Sequence, residues 1–396
     1  MRPLIVVGTG LAGYHLAKEW RKTESSRPLI LITQDQGENY SKPMLSTGLS
    51  KKKSPEELIM ATATEMANSL GAKIITGSSV VQIDAEQQYV ILSDGTKLVY
   101  ENLVLALGAD PMRLALPGTG AADILVVNNL DDYRRFRQII SGKKRIGILG
   151  GGLIGCEFAN DLCLAGYEVA IYEASAWLLS ALLPEQAGRC LEEQFKRNAI
   201  NVHCAAPVQS VEKKADYYQI GLDFTLNDDP HEVDVVVGAT GLRPRISLAN
   251  AAGLTVDRGI VVDQQLRTSN PAIYAVGDCA QVASWGVLPF VMPLMQQVKV
   301  LSRTLLGESQ SVIYPDMPIV VKTSLCPLVI VPPATFNAAI TWSVVQDDQG
   351  LLGTGIDEQC CLQAFVLAGS RATDTVYKSR LLRQMRLPYS LLPSVQ

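Results

Sequence analysis

Two glycine runs carry residues whose types and spacing can do chemistry: Gly8-Thr9-Gly10-Leu11-Ala12-Gly13 and Gly150-Gly151-Gly152-Leu153-Ile154-Gly155. Both have the GxGxxG pattern. In such a run the first glycine makes a tight turn and the second lets backbone approach a pyrophosphate. The third lets a helix pack closely on a strand. The pyrophosphate then faces the unsatisfied N–H groups and positive end of that helix. An acid accompanies the second run. Glu173 lies 18 residues beyond Gly155, near the place of a carboxylate that accepts from the adenine ribose hydroxyls. A carboxylate there repels a 2′-phosphate, and the following ASAW has no Arg or Lys to hold one. These residues favour NADH over NADPH. In the first half the corresponding strand ends Ile32-Thr33-Gln34-Asp35, so Thr33 and Asp35 both stand as ribose candidates.

Each run needs a strand before it and a helix after it. The first half supplies LIVV, then YHLAKEWRK, then the strand PLILIT. The second half supplies RIGIL, CEFANDLCLAG and YEVAIYE. Downstream of each run comes a series of short alternating strands, the pattern of an inserted β-meander. The first contains an Asp94-Gly95 hairpin turn, and the second spans residues 207–241. They end in small glycine turns at Gly108 and Gly241. A further strand, in TSNPAIYAVGDCA at 268–280, ends in Gly277-Asp278, where a carboxylate can accept from ribityl hydroxyls. The pattern predicts an α/β chain with two Rossmann-like dinucleotide-binding domains. One of them is completed by a later segment of chain.

Bulk properties narrow the class. A chain of 396 residues that is 47% hydrophobic can bury more than one core, and a net charge of -4 argues against a general nucleic-acid or membrane-surface binder. No apolar run is long enough for a signal sequence or a membrane span, so a soluble, cytoplasmic protein is expected. The eight cysteines form neither CxxC nor CxxxxC, and the three histidines have no metal-ligand spacing. Metal chemistry and disulfide redox chemistry are not expected.

Taken together and in this order, GTGLAG, GGGLIGCE, ATGLRP and AVGDCA resemble the FAD/NAD(P)H oxidoreductases that hold two dinucleotides. The resemblance covers about residues 1–310. Within that superfamily, GENYSKPMLSTG at 37–48 and MPIVVKTSLCPLVIVPP at 317–333 are similar to the NADH:rubredoxin reductases. Relatives that reduce [2Fe–2S] proteins tend to carry Arg where Lys42 stands. The resemblance implies resident FAD and visiting NADH. Hydride would pass from nicotinamide to flavin, and single electrons would then leave to the iron of an acidic rubredoxin, feeding an oxygenase or an oxygen- or NO-detoxifying chain.

The resemblance also implies roles for individual residues. FAD would be held by Gly8, Gly10, Leu11, Ala12, Gly13, Pro43, Val81, Ala106, Gly108 and Asp278. The first turn of a helix at Pro293 would face the flavin, and Lys322 would be a second cation at its pyrimidine ring. NADH would be held by Gly150, Gly152, Leu153, Ile154, Gly155, Glu157, Glu173 and Gly241. Lys42 would offset negative charge on the flavin as hydride arrives, paired with Glu157.

The expected domains are FAD-binding at 1–109 and 237–309, NADH-binding at 110–236, and a small α/β cap at 310–396 that ends in a basic helix. Basic clusters at Lys51-Lys52-Lys53, Arg134/Arg135/Arg137, Lys143-Lys144-Arg145 and Arg380/Arg383/Arg386 can steer an acidic partner. No docking face is named from them. A [2Fe–2S] ferredoxin reductase and an NADH-sensing flavoprotein without turnover are the competing readings.

Overall fold

A computed structural model describes residues 1–222, 231–333 and 340–387; part of the second expected meander lies outside them. The chain divides into two compact units. The first comprises Met1–Lys42, Glu56–Asp110 and Leu242–Pro315, and the second comprises Pro43–Pro55, Pro111–Gly241 and Asp316–Gln396.

The first unit is built on a five-stranded parallel sheet in the order Ile273–Ala275, Asn102–Leu105, Leu4–Val7, Leu29–Ile32, Lys73–Ile75. The central strands read as unbroken apolar runs because both faces are covered, and Leu4, Ile5 and Val6 are fully buried. Helix Leu11–Arg21 follows the first strand directly, with Tyr14, Leu16, Ala17 and Trp20 buried. Helix Val291–Thr304 packs beside it. The meander Val80–Asp84, Tyr89–Leu92, Lys97–Val99 is antiparallel, and Gly95 takes the left-handed conformation at its Asp94-Gly95 turn. Its placement between strand Lys73–Ile75 and strand Asn102–Leu105 matches the inserted meander read from sequence.

The second unit repeats the plan. Its parallel sheet has the order Ile200–His203, Glu168–Tyr172, Arg145–Leu149, Val235–Gly238. Helix Leu153–Leu164 follows Arg145–Leu149 and is buried along the whole run Gly155–Leu162. A helix enclosed in this way carries no single apolar stripe. Antiparallel strands Val208–Lys213, Tyr218–Leu222 and His231–Val233 form its meander.

The same unit contains the C-terminal segment, an antiparallel sheet in the order Ile319–Val321, Leu328–Val331, Leu362–Ala368, Gly350–Ile356, Thr341–Asp347. Helix Thr375–Gln384, capped by the Asp374 carboxylate, lays Leu381 against Val329, Val331, Leu362, Phe365 and Leu367. Among the described residues no helix is long and apolar enough to cross a membrane.

Candidate functional site

In each sheet the glycine run follows the strand where the chain order reverses, the crevice at which open α/β sheets bind ligands. The packing of the two runs is nearly identical. Gly8 has φ +111° and Gly150 has φ +110°. A Cβ on Gly13 would lie 1.9 Å from the Gly8 carbonyl oxygen, and one on Gly155 would lie 2.0 Å from that of Gly150. Each helix can therefore approach its strand only as glycine. The second glycines differ: a Cβ on Gly10 or Gly152 would meet nothing within 4 Å. Open space at that position, beside a helix start with no side-chain cap, leaves room and free N–H groups for a pyrophosphate.

In the first unit, parallel register brings the ends of three adjacent strands to one edge. Gly8, Ala106 and Gly277 follow those ends. A Cβ on Gly8 would touch the Ala106 carbonyl oxygen at 2.2 Å, and one on Gly277 would lie 2.9 Å from Ala12 Cβ. The turn at Gly277 is fixed from below. Gln297, 2% exposed, accepts the Gly277 N–H at 2.7 Å and donates to the Tyr314 hydroxyl at 2.8 Å. Asp278 then sits at the edge, where burial pushes its carboxyl above the usual range and the charge of Lys42 pulls it back. A half-desolvated carboxylate beside an open glycine turn fits the hydroxyls and pyrophosphate of FAD.

The other expected contacts of this unit are spread more widely. Asp35 accepts from the Thr33 hydroxyl at 2.7 Å and the Gly37 N–H at 2.9 Å, so the two ribose candidates bind each other at the strand end. Pro293 is buried, third residue of helix Val291–Thr304, while Val291 and Met292 at that helix start are exposed. Gly108 takes a left-handed turn just after Ala106. Val81 lies on the meander and is 56% exposed.

In the second unit, the adjacent strand ends carry Gly150, Glu173 and the turn before Gly241 to one edge. Glu173 is tied to the glycine run itself. Its Oε2 accepts the Gly151 N–H, and its Oε1 accepts the Ser175 N–H at 2.7 Å. Gly241 accepts the Met112 N–H at 2.9 Å. Leu153 and Ile154 open the helix, and Ile154 is exposed. With the carboxylate fixed at the strand end, Glu173→Ala is expected to narrow the preference for NADH over NADPH by at least about tenfold, the scale of one charged hydrogen-bonding pair. Paired KM and kcat measurements with the two nucleotides check this; an unchanged ratio refutes the assignment.

Lys42 belongs to the first unit and Glu157 to the second. Within the second unit the Glu157 carboxylate has partners that sequence reasoning missed. The Ser46 hydroxyl donates to Oε2 at 2.6 Å, the Lys322 ammonium pairs with the same oxygen, and the Lys322 backbone N–H donates to Oε1 at 3.1 Å. Lys322, expected at a flavin ring, thus spends its charge on Glu157.

Two more residues of the same helix continue this polar face. Asn160 accepts the Leu325 N–H at 2.9 Å, and Asp161, 1% exposed, accepts the Leu49 N–H at 3.0 Å and the Ser50 N–H at 2.9 Å. Glu157, Asn160 and Asp161 are spaced i, i+3, i+4 in the otherwise apolar CEFANDLCLAG. Polar residues at helical spacing inside a buried helix were the signal that could have found them.

The eight cysteines are free thiols. Burial pushes Cys279 up to about 11 and Cys204 up to about 12, and it holds Cys156 well above the ordinary thiol range. These thiols stay protonated near neutral pH, where a nucleophilic thiolate would be needed.

Comparison with known proteins agrees with this geometry. Residues 2–300 match the family described as pyridine nucleotide-disulphide oxidoreductase, and residues 311–385 match the rubredoxin binding C-terminal domain. The chain is 45% identical to a rubredoxin-NAD(+) reductase of Alcanivorax borkumensis over 84% of its own length and 86% of that protein's. It is 39% identical to a rubredoxin-NAD(+) reductase of Acinetobacter baylyi over the whole of both chains. Among solved structures, the ferredoxin reductase for the CYP199A2 system from Rhodopseudomonas palustris superposes with a TM-score of 0.87 at 25% identity, covering 98% of this chain and 96% of that one. The chain belongs to the pyridine nucleotide-disulphide oxidoreductase family, among the rubredoxin-NAD(+) reductases.

Proposed function

We infer that this protein is an NADH:rubredoxin oxidoreductase with FAD as its resident cofactor. The observation that carries the reading is the duplicated glycine-turn edge, one copy backed by Asp278 and the other by Glu173, in a chain whose C-terminal segment matches a rubredoxin-binding domain. When bound, FAD supplies the conversion of a two-electron hydride into single electrons.

The chain's own residues bind and orient. Gly8, Gly10 and Gly13 hold the FAD pyrophosphate against helix Leu11–Arg21, and Asp278 takes its ribityl hydroxyls. Gly150, Gly152 and Gly155 hold the NADH pyrophosphate, and Glu173 takes the adenine ribose. Lys42 would present its positive charge to the flavin of bound FAD. No nucleophile or general base is needed, because hydride transfer is governed by proximity and stacking. The reaction draws on cytoplasmic NADH.

The test is anaerobic stopped flow: the purified protein is reduced with NADH and mixed with oxidised rubredoxin. The expected result is bleaching of the rubredoxin iron–thiolate absorbance at a rate of at least about 1 per second, the lower end of ordinary enzyme turnover. If only a [2Fe–2S] ferredoxin bleaches, the acceptor is wrong while the cofactors stand. If neither bleaches, the protein is not an electron-transfer reductase of this kind.

A further inference from the structure

Ser46 lies in the short 3-10 helix Lys42–Thr47, and its side chain is turned away from water at 6% exposure. Its hydroxyl donates to Glu157 Oε2 at 2.6 Å and accepts from Lys322 Nζ at 3.0 Å. Lys322 also pairs with Glu157 directly, so the three side chains form a closed ring. A hydroxyl has one proton to give. When that proton goes to Glu157, the lone pairs of the hydroxyl are left to accept from Lys322.

The position of the ring matters as much as its chemistry. Glu157 lies two residues past Gly155 on the helix whose start is open for a pyrophosphate. An uncompensated carboxylate there adds negative charge close to where an anionic diphosphate must come. Lys322 cancels it, but a lysine is long and its side chain is one-third exposed, so holding it in one geometry costs rotamer entropy. Ser46 gives the ammonium a second fixed contact. Ser46 is itself held, because Asp161 grips the backbone N–H groups of Leu49 and Ser50 a few residues on.

We propose that Ser46 is a positioning residue for the nicotinamide nucleotide: it pins the Lys322 ammonium to Glu157 so that this carboxylate, the one in the first turns of the helix, presents no uncompensated charge to the incoming diphosphate. The proposal rests on the reading of the second glycine run as the NADH site.

The test is calorimetric titration of the oxidised holoenzyme with NAD+, which reads binding without turnover. Ser46→Ala is expected to weaken NAD+ about tenfold, the scale of one charge-assisted hydrogen bond. Ser46→Thr keeps the hydroxyl and is expected to restore parental affinity. Parental affinity in Ser46→Ala overturns the proposal, and so does a Ser46→Thr as weak as Ser46→Ala, since shape rather than the hydroxyl would then be responsible. Should Ser46→Ala fail to fold, Ser46→Cys, close in volume and a poor donor, carries the same expectation and the same refutation. A parent enzyme that fails to bind NAD+ at all would instead sink the functional reading beneath the proposal.

Discussion

Replacing Gly155 with alanine is expected to leave a yellow protein that NADH no longer reduces at a useful rate. The added Cβ would sit 2.0 Å from the Gly150 carbonyl oxygen and 3.1 Å from its carbon. The obstacle is backbone, so no side chain can swing aside. The strand–turn–helix spacing must open instead, which carries the N–H groups of helix Leu153–Leu164 away from the diphosphate. A displacement of about 1 Å in a positioned reactant costs roughly a hundredfold in rate, and overpacking of this kind costs about 1–3 kcal/mol of stability. Because Gly155 lies in the second unit and the proposed FAD turn in the first, FAD content should stay near parental. Rapid-mixing reduction by NADH, read beside the flavin absorbance of the oxidised protein, checks both halves. Parental reduction would mean that this glycine run does not hold the nucleotide.

The second large effect is one of stability. Asp161→Ala is expected to cost about 3 kcal/mol, because it strands two N–H donors that the carboxylate now satisfies. Asp161→Asn should fall between that variant and the parent. The geometry sets this order: Oδ1 receives the Ser50 N–H and hydroxyl, and Oδ2 receives the Leu49 N–H. An amide can keep its oxygen toward Ser50 only by turning its NH2 group onto the Leu49 donor. Urea transitions of the three proteins would show the order directly. Both variants melting with the parent would mean that these bonds are replaced by water without cost.

What the sequence disclosed was short in range. Each glycine run lies within a few residues of the strand and helix that it joins, and Glu173 follows on the very next strand, so spacing alone placed them. The meander with its Asp94-Gly95 turn was legible for the same reason. The local partners of Asp35 were not: one of its oxygens accepts from the Thr33 hydroxyl two residues away and from the Gly37 N–H, contacts that the ribose spacing did not announce. The Ser46–Glu157–Lys322 ring joins residues 111 and 165 positions apart, and no local rule connects them. Gln297 was hidden differently. In VMPLMQQVKVLSRT it reads as one of two adjacent glutamines on a helix, and only the fold shows that one of them reaches the Gly277 turn.

The discontinuity of the first unit sets an order of events during synthesis. Strand Asn102–Leu105 receives its outer neighbour only from Ile273–Ala275, and the helix bearing Gln297 comes later still. At a ribosomal pace of about 5–20 residues per second, that edge stays bare for roughly 8–34 seconds after its own strand has emerged. During that interval every strand of the second unit's parallel sheet, Arg145–Leu149 through Val235–Gly238, leaves the tunnel with its partners. The parallel sheet of the second unit can therefore pair first, while the first unit waits with an unpaired strand and no Asp278. Capture of FAD becomes the late step of maturation, and a chain truncated before Ile273 would lack Asp278 and leave the edge of Asn102–Leu105 unpaired.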